Sequence, residues 1–234
     1  MKTWLIWAIM LTMSGPLAAQ ALRGNGNVVM TERRMGDFSG LVVDGIFDVF
    51  ITLGEKNHLT LEADENLHEA VITKIEGGKL YISQRTPFKN VSKLVVYVAM
   101  NHLDYLRVSG AVDVESNATF TGASLHLVAG GAGDIELQVK VDELITEVIG
   151  AANIVLHGQA AKTRMAVTGS GDLDASQVQV GTADIRVDGS GDVYVQVKDM
   201  IKAHVSGAGS VYCKGNPPQR EVTERGVGSV EFSE

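Results

Sequence analysis

Cysteine is nearly absent. Cys213 is the only one, so no intrachain disulfide can form and a CxxC redox or zinc site is excluded. Proline is scarce, with four in 234 residues, and aromatics make up 6%. There is no basic block, and the formal charge is −8, so no nucleic-acid partner is expected. The six histidines (His58, His68, His102, His126, His157, His204) lack metal-ligand spacing, and no GxSxG elbow supports a serine hydrolase. What the chain has in excess is glycine, 26 residues, well above the usual share. With so little proline this is not linker composition. Such glycines mark backbone positions that need positive φ or lack room for a Cβ.

The first 21 residues read as a signal peptide. Lys2 supplies the charge, an uncharged apolar run covers residues 4–13, and Ser14, Gly15 and Pro16 break it. Small residues before Ala19 and Ala21 offer two cleavage points. Export through the Sec pathway to the periplasm or beyond is the expectation. Past residue 21 no apolar stretch approaches membrane-spanning length, so no span is expected after cleavage. Residues 22–35 read as a flexible segment, followed by a single domain over 36–234.

One five-residue box recurs seven times: GAVDV at 110–114, GAGDI at 131–135, GAANI at 150–154, GSGDL at 169–173, GSGDV at 189–193, GAGSV at 207–211 and GVGSV at 226–230. Successive first glycines are 18 to 21 residues apart. Twelve of the 26 glycines fall in the boxes: Gly110, Gly131, Gly150, Gly169, Gly189, Gly207 and Gly226 at the first position, Gly133, Gly171, Gly191, Gly209 and Gly228 at the third. Around each box the apolar period is 2, the signature of a strand with one buried face. A glycine pair inside nearly every unit argues against helix. The pattern predicts an all-β, right-handed parallel β-solenoid (β-helix-like), about 19 residues per coil over 106–234, with strand, glycine corner, strand and a second corner in each coil. The glycines are its structural corners. Residues 36–105 predict more irregular coils, or a small sheet layer continuous with the solenoid, with a helical turn or loop at 64–70 and a tight turn at Gly77-Gly78. An antiparallel sandwich would not keep one chemistry in register over seven copies.

The run FSGLVVDGIFDVFI at 38–51, LEADENL at 61–67, GKLYI at 78–82 and the later GSGD boxes together resemble the bacterial DUF2807 family, the auto-transporter adhesin head GIN domain. The resemblance spans about residues 36–232. It implies a secreted or envelope-associated β-solenoid and brings no catalytic residues.

The most visible polar feature is an Asp column: Asp48, Asp113, Asp134, Asp172 and Asp192, with Asn153. Stacked carboxylates are hard oxygen ligands, which makes Asp134, Asp172 and Asp192 candidates for calcium. Asp, Asn and Ser in one column equally fit a corner-capping role, and no metal or other cofactor is assigned. Tyr194 and Tyr212 share an outward column and are candidates for surface binding of a sugar or protein. Cys213 shares a column with Val195 and Ala175 and reads as a buried small hydrophobe. The expected function is non-enzymatic, adhesin-like binding of an envelope glycan or protein, with homo-oligomers formed by coil-end stacking as a further partner. The alternatives are a self-stacking structural module and a polysaccharide-lyase-like enzyme. The enzyme needs an acidic cluster with a basic residue beside it, and Arg164 and Arg186 fall outside the acidic register.

Overall fold

Each glycine box turns the chain by letting consecutive corners pack backbone to backbone. The computed structural model describes residues 21–233, so of the expected leader only Ala21 lies within it. The strands are β1 (Leu22–Arg23), β2 (Val28–Arg34), β3 (Gly40–Leu53), β4 (His58–Asp64), β5 (Val71–Glu76), β6 (Lys79–Gln84), β7 (Phe88–Lys89), β8 (Leu94–Met100), β9 (Tyr105–Gly131), β10 (Asp134–Gly150), β11 (Asn153–Gly169), β12 (Leu173–Gly189), β13 (Val193–Gly207), β14 (Val211–Lys214), β15 (Gln219–Gly226) and β16 (Val230–Ser233). A short 3₁₀ turn, Glu65–Leu67, falls in the stretch expected as helical turn or loop.

From β3 onward every pairing between coils is parallel: β3 with β9, then β9 through β13 in sequence. β13 pairs with β14 along one arm and with β15 along the other, and β14 pairs with β16. This is the β-solenoid expected from the boxes, about six turns at a spacing near 19 residues. β10 and β11 run 16 pairs without a register shift, Asp134 on Asn153 through Gly150 on Gly169.

The interior consists of ladders. Ala129, Val148, Val167, Val187 and Val205 form one buried column, and Ile135, Ile154, Leu173, Val193 and Val211 another. Burying each Val, Ile or Leu among them contributes about 1.5–3 kcal/mol. The first glycine of every box has positive φ, from +94 at Gly110 to +154 at Gly189. A Cβ on Gly169 would lie 2.3 Å from the carbonyl oxygen of Gly150. That carbonyl accepts the N–H of Ser170 at 2.8 Å and of Gly171 at 3.1 Å, so the room a side chain would fill holds the inter-coil bonds.

The N-terminal end is built differently. The free edge of β3 pairs in parallel with β6 along one half and β8 along the other. Direction then reverses: β5 is antiparallel to β6, β4 to β8 and β2 to β4. Hairpins end the stack because a further parallel strand needs a full crossover. The β5–β6 hairpin turns on Gly77 (φ +56) and Gly78 (φ +73), as a two-residue type I′ turn requires.

Residues 22–35, expected to be flexible, instead carry β1, paired with β7, and β2, paired with β4. Side chains far off in the sequence hold them. The Arg33 guanidinium donates to the carbonyls of His68 and Val71 and to the Thr73 hydroxyl, and its burial lowers its pKa. Asp64 is fully buried and accepts the N–H of Gly26 at 2.6 Å and of Ser92 at 2.8 Å.

At the last coil the inward columns change character. Arg220 stands in register with Ile201, and Glu224 with Val205. The Arg220 guanidinium lies 3.9 Å from the centre of the Phe232 ring, and the Glu224 carboxylate accepts the Val230 N–H at 2.7 Å. Between them Val222, in register with buried Ala203, stays 40% exposed.

Two predictions follow from this packing. Gly169→Ala combines a strained φ with a backbone clash, whereas Gly77→Ala, with open space around it, has only the φ strain. Gly169→Ala is expected to destabilise by about 1–3 kcal/mol more than Gly77→Ala in denaturant unfolding. For Asp64, burial pushes the carboxyl pKa up, but hydrogen bonds from Ser92, Gly26 and Lys93 outweigh it, and the folded pKa lies below the usual range. A depressed pKa adds stability above the unfolded value, lost as pH falls through the folded one. Asp64→Asn is expected to cost about 1–3 kcal/mol at neutral pH, and to flatten the fall in stability below about pH 4.

Candidate functional site

The second strand of each coil carries two outward columns beside the glycine corner. One holds Asp48, Asp113, Asp134, Asn153, Asp172, Asp192, Ser210 and Ser229, and the other Phe50, Glu115, Glu136, Val155, Asp174, Tyr194, Tyr212 and Glu231. Nine carboxylates and no lysine or arginine line this strip. His157 Nε2 lies 3.4 Å from a carboxylate oxygen of Glu136.

The first column is bound into the backbone. Asp113 accepts the N–H of Asp134 (3.0 Å), Asn153 that of Asp172 (3.1 Å), Asp172 that of Asp192 (2.8 Å) and Asp192 that of Ser210 (2.7 Å). Each side chain thus satisfies an amide of the next corner that the ladder leaves free. Asp134 instead accepts the side-chain amide of Asn153 at 2.9 Å. The three calcium candidates each have a carboxylate oxygen engaged in this way. Among the described residues, no three His, Cys, Asp or Glu side chains are grouped to hold a metal.

Tyr194 and Tyr212 stack, centroids 4.9 Å apart and planes 12° from parallel. Each ring therefore offers one face to the other, leaving edges and hydroxyls outward. Burial first, then Asp192 and Tyr212, raises the Tyr194 pKa. Cys213 is buried in register with Val195, and burial pushes its thiol pKa up, away from nucleophile character. Arg164 and Arg186 stand on the other arm, and Arg186 is paired with Asp188.

A second feature is not apparent in the boxes. At the second bend of each coil consecutive residues face outward: Asp142 and Glu143, Ala161 and Lys162, Gly181 and Thr182, then Lys198 to Met200. The coil-to-coil pairing skips Asp142, Ala161 and Gly181. A groove of about 460 Å³ opens there, lined among others by Lys140, Asp142, Gln159, Gln179, Lys198 and Asp199. The available signal was a doubled outward position once per period.

The Asp column leads to a test. If its work is to accept an amide, Asn should serve as well as Asp. Asp172→Asn is expected to unfold within about 0.5 kcal/mol of the parent and Asp172→Ala about 1 kcal/mol below it, with no shift of either on adding calcium or EDTA.

The family model described as "Putative auto-transporter adhesin, head GIN domain" (DUF2807) matches residues 37–217. No curated protein matches the chain. A solved structure of a putative adhesin from Bacteroides fragilis superposes with a TM-score of 0.87 at 19% identity, over 91% of this chain and 100% of its own. A putative adhesin from Parabacteroides merdae gives 0.78 at 23% identity, over 92% and 100%. A putative lipid binding protein from Parabacteroides distasonis gives 0.76 at 19%, again over 92% and 100%. At these identities the likeness establishes the fold, while the family model covers most of the sequence. The chain belongs to the DUF2807 family of head GIN domains.

Proposed function

We propose that this protein is an exported, non-catalytic binding module of the bacterial envelope, adhesin-like in action, that presents its outer ladders to an envelope glycan or protein. The observation that carries the reading is the unbroken register of the outer columns. Carboxylate or amide groups recur at one coil spacing, about 4.8 Å, from Asp113 through Asp134, Asn153 and Asp172 to Asp192 along one rigid face. A repetitive partner then meets the same chemistry at successive positions, and weak contacts add through multivalency. The family description and the adhesin names of the structural neighbours support the same reading. The Leu17–Ala21 stretch is the proposed leader cleavage region.

The full chain, expressed with its leader, should be recovered with its N-terminus after Ala19 or Ala21 by mass spectrometry of the exported protein. Applied to immobilised envelope polymers and proteins, it should bind with or without EDTA and leave the chain length of any bound glycan unchanged. Release of shortened, unsaturated sugars would overturn the reading in favour of a lyase.

A further inference from the structure

We propose that the groove at the second bend is a subsite for a neutral glycan chain running along the solenoid axis. This deepens the binding reading above and rests on it. The two central coils contribute Ala161 and Gly181, which make a floor with almost no side chain. Lys140 and Asp142 bound it on one side, Lys198 and Asp199 on the other. Gln159 and Gln179 stand in register along it, and Gln179 is in turn paired with Gln196. Asp199 reaches in: one carboxylate oxygen lies 3.4 Å from where a Gly181 Cβ would stand.

The polar heads here are uncommitted. Among the described residues, the side chains of Lys140, Asp142, Gln159, Gln179, Lys198 and Asp199 make no hydrogen bond or ion pair within the protein. This contrasts with the Asp column, whose carboxylates cap backbone amides. Two lysines and two aspartates leave the groove without net charge, so neither an anion nor a cation is favoured. Planar amides that both donate and accept, carboxylates that accept from hydroxyls and ammonium groups that donate are together the complement of a polyhydroxylated, uncharged chain. The amides repeat at about 4.8 Å, a spacing comparable to one sugar unit in an extended chain.

The test is NMR titration of the full mature chain with cellohexaose, laminarihexaose, mannohexaose and chitohexaose. At least one should shift the side-chain amides of Gln159 and Gln179 and the backbone amide of Gly181. Ala161→Arg, which fills the floor, and the pair Gln159→Ala with Gln179→Ala should each weaken that glycan about tenfold or more, with unfolding temperature unchanged. Glu55→Ala, at an exposed bend between β3 and β4, should leave the affinity within about twofold. If none of the four sugars moves the groove signals, the assignment is overturned. If a sugar instead shifts the Tyr194 and Tyr212 face and its binding survives Ala161→Arg, this subsite is wrong while the wider binding reading stands. Loss of all binding to envelope glycans and proteins overturns both.

Discussion

The close approach of one corner to the next governs this molecule. At the first glycine of each box the carbonyl of the coil before lies where a Cβ would be, as Gly131 on Gly110 and Gly226 on Gly207 show. The carbonyl accepts an amide from the second box position at about 2.7–2.9 Å, and from the third in the later coils. Those bonds set spacing and register together. Once the corners are fixed, a residue at a given place in the box has no choice of neighbour. Val above Val and Asp above Asp follow. A slip of one residue would turn each buried column outward, so the apolar ladders lock the same register the glycines impose.

That constraint explains which parts were legible in the sequence. The glycine boxes, the period near 19 and the inward columns are local patterns, and the parallel pairings reproduce them at the boxes, with register shifts just after Glu136 and Val155. The N-terminal cap is not local. β2 lies against β4 because of contacts about 35 to 40 residues apart, made by Arg33 and Asp64. Neither residue belongs to a repeat, so nothing short-range announced that 28–34 would be a strand. The groove at the second bend was hidden for another reason. Its residues differ in type from coil to coil, Asp142, Ala161, Gly181 and Asp199, and only their shared position unites them.

A repeat also stacks like charges, which destabilises neighbouring strands. The acidic strip places Asp113 over Asp134, Asp172 over Asp192 and Glu115 over Glu136. Three features limit the cost. The groups stand at the surface, where water and salt screen them. The Asp oxygens accept backbone amides, whose N–H dipoles offset part of the charge. The column is interrupted by neutral Asn153, Ser210 and Ser229, and the first two still accept the amides of Asp172 and Ser229 without adding charge. The identity of this column is therefore set first by the corner's need for an acceptor. Its charge is a consequence for the outer surface.

The two ends complete the logic of where such a scaffold can meet a partner. An unfinished solenoid exposes both an apolar interior and a row of unpaired backbone groups. At the beginning, antiparallel hairpins turn the stack back on itself. At the last coil, the inward positions that were Ile201 and Val205 become Arg220 and Glu224. A second copy stacking there would have to bury both heads, and an ion removed from water costs several kcal/mol unless well paired. Each head already has a partner within its own coil, Arg220 on the Phe232 ring and Glu224 on the Val230 amide. Stacking would have to dry or break these contacts before gaining apolar area. The long sides carry no such penalty: their polar groups are solvated, repeat at the coil spacing, and at the second bend are not engaged by the protein itself. End-to-end stacking would therefore have to offset the desolvation of Arg220 and Glu224.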